Sequence, residues 1–184
     1  KKPGGSLDDT KMISGIIIDK EVSHSDMPKL VKKAKIGLLD VALEIEKTEF
    51  TSKISIETPD QMQAYLDEEE RMLRDMVKKV KGAGINVLFC QKGIDDMVQH
   101  FLAREGVMAA RRLKKSDMEA LAKATGAKVV SSIDELSESD AGYAAVVEER
   151  KIGEDKLIFV EGCKNPKAIS ILIRGGSERV VDEA

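Results

Sequence analysis

The sequence has no tryptophan, two tyrosines and four phenylalanines. So small a stock of aromatic rings excludes the stacking platforms that hold single-stranded nucleic acid. Cysteine is nearly absent too. Cys90 and Cys163 lie far apart in apolar, strand-like runs, VLFC and VEGC, and read as buried thiols of a reducing, cytoplasmic setting rather than as a disulfide framework. No run of about 18 apolar residues exists to cross a membrane. Nor is there a basic-then-apolar leader, because the chain opens on the polar KKPGGSLDDT. The initiator Met is missing and the last residues, GGSERVVDEA, stop inside a helix start. Both ends therefore read as cuts in a longer protein. Neither charge sign dominates: 30 basic against 33 acidic residues leave −3, without the basic excess of a nucleic-acid binder.

Catalytic signatures are missing as well. There is no GxxxxGK[ST] and no GxGxxG, so no recognised phosphate cradle. The IRGGSE turn resembles an anion-holding strand-to-helix junction, but a lone Gly-Gly is a weak signal and a plain turn explains it better. No Ser, Cys or Lys stands in a nucleophile motif. Asp96 and His100, with Asp95 beside them, have i,i+4 metal-ligand spacing, but no further ligand is near in sequence. A solvated helix face accounts for them. His24 has no partner visible from sequence. The acidic clusters 67–70 and 148–149 read as solvated charge rather than as general acid/base pairs.

What is present is a globular composition, 42% hydrophobic and 34% charged over 184 residues, enough for one core. Strands are expected at ISGIIIDK (13–20), in the first half of AKIGLLDVALEI (34–45), at INVLFC (85–90) and at MAARRL. Phe50, Ile54 and Ile56 alternate in an extended segment. A helix over 59–81 has a clear start, with Thr58 as cap, Pro59 in the first turn and Gln61 completing a capping box. It would be about 35 Å long at ~1.5 Å per residue. A second helix, 93–106, has the stripe Ile94, Met97, Val98, Phe101 and Leu102. A third begins at a Ser116 cap with Glu119 in a capping box, ends at Gly126, and leads into a strand at KVVSS. AAVVEERKIG and KLIFVEGC form a hairpin around Gly153-Glu154-Asp155. AISILIRG is a last strand, and Ser177 caps a final helix. The order gives a mixed α/β (α+β) fold around one core.

The long helix is uneven. Its apolar stripe runs Met62, Tyr65, Leu66, then Met72, Leu73, Met76, Val77 and Val80, and breaks at Glu69. Residues 59–70 carry five acids and no bases, whereas 71–81 carry five bases and one acid. That polarity suits the helix dipole. Either the helix lies flat with its whole stripe in the core, or its first half projects beyond the body. Pattern alone favours the flat arrangement, since apolar stripes usually line cores.

The runs ISGIIIDKE, FCQKGIDDMVQHFLAREG, RRLKKSDMEALAKATGAKVVSS, VEERKIG and CKNPKAISILIRGG resemble the apical domain of a group II chaperonin of the archaeal thermosome type, across essentially all 184 residues. The resemblance implies a β-sandwich flanked by helices, one apical domain over 1–184, and a helical protrusion over 46–75 that serves as a built-in lid. It thus reverses the flat-helix expectation. It implies unfolded polypeptides and neighbouring subunits of a double ring as partners. Polypeptide would be held on the protrusion by Phe50, Ile54, Ile56, Met62, Tyr65 and Leu66. A groove between the long helix and helix 93–106 would offer Asp96, Gln99, His100 and Arg104. That face is polar here, where bacterial relatives present aliphatic side chains, and this shifts the apolar burden to the protrusion. ATP and Mg would belong to the equatorial part of the parent chain, whose Gly-Asp-Gly-Thr-Thr motif is absent. No cofactor and no catalysis are expected in this segment. The rival expectation is a purely structural lid that only touches neighbouring subunits.

Overall fold

Short β-branched runs and 3–4-spaced apolar stripes divide the chain into small, mostly local elements. The computed structural model describes residues 1–45, 58–165 and 167–184. In chain order these are β1 (Lys2–Pro3), β2 (Lys11–Ile13), β3 (Gly15–Ile18), β4 (Leu30–Leu39), α1 (Pro59–Gly82) and β5 (Val87–Cys90). Then come α2 (Asp96–Arg104), β6 (Met108–Ala110), α3 (Lys115–Thr125), β7 (Val129–Val130) and β8 (Gly142–Ile152). The last are β9 (Asp155–Cys163), β10 (Ser170–Leu172), β11 (Arg174–Gly175) and α4 (Glu178–Glu183).

The main sheet runs β3-β9-β8-β4-β5-β6, with β7 joining the edge of β4 beyond the end of β8. Strands β4, β5, β6 and β7 are parallel, and α1, α2 and α3 are the crossovers between them. Parallel strands covered by helices are buried on both faces and read as continuous apolar runs. β5 obeys this: all four residues of VLFC are buried. The β8–β9 hairpin closes on two residues, since Ile152 pairs with Asp155. Gly153 takes the left-handed conformation that this tight connection needs, at φ +66°.

The expected sandwich takes a lopsided form. The two-stranded ribbon β2-β10 lies against the outer end of the main sheet through a second apolar cluster of Ile13, Leu157, Phe159 and Leu172. ISGIIIDK is accordingly not one strand: β2 pairs with β10, and β3 pairs with β9. Gly15 sits at the switch, where a Cβ would lie 1.9 Å from the Val160 carbonyl oxygen. AISILIRG divides in the same way into β10 and β11. MAARRL is cut short because Arg112 turns into a left-handed conformation, φ +56°. Leu113 is then buried and bonded from its N–H to the Cys90 carbonyl. The chain is thus anchored just ahead of α3, which starts at Lys115 with Lys114, not Ser116, as its uncapped N-cap. Gly126 ends α3 as expected.

Only the second half of α1 enters the core. Leu73, Val77 and Val80 are its buried residues, and Lys79 pairs with Asp134 on the turn that follows β7. Each buried aliphatic side chain contributes at most about 1.5–3 kcal/mol. From Pro59 to Met72 no residue is buried. The flat arrangement is therefore excluded for Met62, Tyr65 and Leu66. Met72, also assigned to the stripe, is 45% exposed.

Candidate functional site

Thr58 starts α1 by accepting the Gln61 N–H on its Oγ1 at 3.3 Å, with Pro59 in the first turn. Beyond that cap, the helix is sustained by its own side chains rather than by the body. Gln63 donates to Asp67, Arg71 to Glu68 and Arg74 to Glu70, all at i,i+3 or i,i+4. Glu69, the break in the stripe, accepts a hydrogen bond from the Tyr65 hydroxyl. That bond, with partial burial and the adjacent charge, holds the Tyr65 phenol above its ordinary pKa. Tyr65 is half-buried, while Met62 and Leu66 are 45% and 48% exposed. Two large apolar side chains thus stand open on a strongly acidic half-helix. Phe50, Ile54 and Ile56 lie outside the described residues.

Where α1 reaches the body it runs beside α2, and an open groove of about 480 Å³ lies between them. Val77 and Phe101 form the apolar floor, both largely buried. Arg74, Lys78 and Lys81 line the α1 side, and Arg104 and Glu105 the α2 side. The Arg74 guanidinium lies 4.6 Å over the Phe101 ring, a cation–π contact that fixes its position. Lys81 Nζ donates to the Glu105 carbonyl oxygen at 2.9 Å and ties the two helices together.

Of the four α2 residues read from the sequence, only Arg104 lines this groove. Gln99 is a correction: it is 3% exposed. Its Nε2 donates to the Ile94 carbonyl at 2.7 Å, so its amide is satisfied inside the fold and unavailable to a ligand. Met97 changes places with it, 42% exposed instead of in the core. Asp96 stays in solvent near Arg111, at 3.7 Å. His100 faces His24, their ring centroids 6.0 Å apart. The meeting of the chain's only two histidines has no sequence signal, because they are 76 positions apart and on different elements. For a similar reason Val77 and Phe101 read only as core stripe, and Arg74, Lys78 and Lys81 carry no groove signal in the sequence. They were legible only as helix positions, until the packing angle of α1 on α2 selected them.

Other candidates resolve into structure. Asp95 caps α2 by accepting the Met97 N–H at 2.8 Å. Among the described residues no three His, Cys, Asp or Glu side chains are grouped to hold a metal. Glu148 and Glu149 diverge, as neighbours on a strand must: Glu148 pairs with Arg150, and Glu149 with Lys29 and the Val22 N–H. Burial pushes the Cys90 thiol up to about 11, which leaves it without thiolate character at neutral pH. The IRGGSE turn is occupied by the fold: β1 pairs with β11, and the nearly buried Arg174 donates to the Gly4 carbonyl. Among the described residues no helix is long and apolar enough to cross a membrane.

Comparison with known proteins adds an independent line. The model of the TCP-1/cpn60 chaperonin family matches residues 1–184. Thermosome subunit beta of Sulfurisphaera tokodaii is 61% identical over 183 residues, which cover 100% of this chain and 33% of that protein. The thermosome subunit of Pyrococcus abyssi is 60% identical over 183 residues, with the same coverage of 100% and 33%. The chain therefore spans about a third of the length of these relatives. Among solved structures, the open-state monomer of a group II chaperonin from Methanococcoides burtonii matches with a TM-score of 0.81 and 41% identity, covering 98% of this chain and 39% of that one.

Proposed function

This chain belongs to the TCP-1/cpn60 chaperonin family, and on that premise we propose that it is the apical, polypeptide-binding part of an ATP-dependent group II chaperonin subunit. Residues 46–75 form its lid-building protrusion. The observation that carries this reading is the open pair Met62 and Leu66 on a half-helix with no buried residue. Exposed apolar groups backed by a stable helix bind non-native chains with little sequence preference. Each contributes at most about 1.5–3 kcal/mol when a client covers it. The flexible, polarizable Met side chain suits partners of varied shape. Phe50, Ile54, Ile56 and Tyr65 extend the same surface in this reading, and Asp96, His100 and Arg104 supply polar contacts beside it. Single-site affinity is then weak, and a ring of subunits raises it through multivalency. When the chamber closes, the same apolar groups exchange client for neighbouring protrusion.

In this reading ATP and magnesium are held elsewhere in the longer subunit. The sequence has no glycine-rich phosphate loop, and no three metal-ligating side chains cluster among the described residues. Nucleotide hydrolysis is assigned in this proposal to other parts of the longer subunit, and the protein to the cytoplasm.

The test is suppression of aggregation of a chemically denatured protein by the isolated chain. The double substitution Met62→Ser with Leu66→Ser, which touches no buried residue, should abolish most of it. Undiminished suppression would remove the protrusion from the assignment. A wild-type chain with no suppression at all would favour the purely structural lid.

A further inference from the structure

The groove between α1 and α2 carries an excess of positive charge around two buried apolar residues. Four cations, Arg74, Lys78, Lys81 and Arg104, line it against a single acid, Glu105. Two of the four are neutralised on their own helix: Arg74 by Glu70 at 2.6 Å and Lys78 by Asp75 at 3.2 Å. The other two are not. Lys81 spends its ammonium on a backbone carbonyl, and Arg104 has no carboxylate partner among the described residues. These two charges, with no carboxylate partner among the described residues, flank Val77 and Phe101, which are 4% and 7% exposed. The groove is open, so a chain segment can lie along it without any rearrangement of the helices.

We infer that the groove selects acidic segments of the unfolded client, with carboxylates on Lys81 and Arg104. The inference rests on the polypeptide-binding reading above and divides the labour within it. The exposed half of α1 supplies sequence-tolerant apolar contact, and the groove supplies a preference. Arg104 suits the task because its planar fork can hold a carboxylate through two parallel hydrogen bonds. Basic segments are rejected by like charge, which is how charged surfaces discriminate between partners more than they add affinity.

The experiment uses three disordered peptides of equal length and identical apolar residues, carrying glutamate, glutamine or lysine between them. Binding to the chain is read by fluorescence anisotropy. The glutamate peptide should bind about tenfold more tightly than the lysine peptide at low ionic strength. The gap should close to about twofold in ~0.5 M salt, where charges are screened within a few Å. Lys81→Gln with Arg104→Gln should remove the preference, so that the three peptides bind within about twofold of one another. Arg104→Glu alone should reverse it. Both positions are exposed, and an unchanged melting temperature verifies the fold. Equal affinity for the three peptides overturns the inference while leaving the general reading intact. So does a preference that survives both groove variants. Failure to bind any peptide overturns both. Self-association of the wild-type chain in sedimentation, lost in Arg104→Glu, would give the groove to the acidic half-helix of a second copy and overturn the client assignment.

Discussion

Leu66 and Leu73 lie two turns apart on one helix, and the structure assigns them opposite consequences on truncation. Leu73 is 6% exposed and packed in the main core. Leu66 is 48% exposed. Leu→Ala in a core costs about 2–5 kcal/mol, the spread reflecting how far the site can collapse. Leu73 is the first buried residue of α1, at the margin of the core, so the lower part of that range applies, about 2–3 kcal/mol. For Leu66 roughly half of the ~1.5–3 kcal/mol transfer benefit is already forfeited to solvent and Ala keeps the Cβ, which leaves a cost of about 1 kcal/mol or less. In a chain of this size each kcal/mol moves the melting temperature by roughly 2–4 °C. Leu73→Ala should therefore melt about 4–12 °C lower, and Leu66→Ala within about 4 °C of the parent. Calorimetry and urea titration followed by circular dichroism would measure both. Equal losses, or a larger loss at Leu66, would refute the claim that the first half of α1 contributes nothing to the core.

Further outcomes follow from other contacts. Burial would raise the pKa of the Glu149 carboxyl, but the Val22 N–H at 2.7 Å and the Lys29 ammonium at 2.9 Å outweigh it and hold the group below the usual glutamate range. A depressed folded-state pKa adds stability that is full above the unfolded value and fades as pH falls through the folded one. Glu149→Gln should thus cost about 1–3 kcal/mol at neutral pH, with the deficit shrinking in acid, as read by urea titration across pH. Arg150 bridges Glu148 and Glu161 while lying 4.6 Å over Phe159. Arg150→Lys keeps the charge but loses the planar stack, and should cost about 1 kcal/mol by the same assay. Iodoacetamide applied to the native chain at neutral pH should label the half-exposed Cys163 well before the buried Cys90, as resolved by peptide mass spectrometry. Faster labelling of Cys90 would contradict its burial.

The elements legible in the sequence are those set by neighbours in the chain. Thr58-Pro59 fixes the start of α1, Gly126 the end of α3, and Gly153 the hairpin turn, because caps and tight turns are decided within four or five residues. The buried strand β5 announced itself through its unbroken apolar run. What stayed hidden depended on distant partners. Ser116 with Glu119 reads as a capping box, yet the contact of Leu113 with Cys90 sets the helix start earlier. Periodicity puts Met97 on the apolar stripe of α2 and Gln99 on the face opposite, yet Gln99 turns inward because its amide donates to the Ile94 carbonyl, and Met97 turns out. The broken stripe at Glu69 was visible, but two dispositions of the helix satisfied it. The choice came from the body to which α1 is attached, which ends at Leu73.

In the second half of α1 the buried residues and the groove residues alternate as neighbours: Leu73 with Arg74, Val77 with Lys78, Val80 with Lys81. One helical turn thus carries two separable instructions, one read by the interior and one by whatever lies in the groove. Of these groove charges, Lys78 pairs only with Asp75 on its own helix and is free to change, whereas Arg74 over Phe101 and Lys81 on the Glu105 carbonyl also hold α1 against α2. In the reading proposed above, a charge change at position 78 retunes the groove for a different client while the buried face of the helix stays as it is.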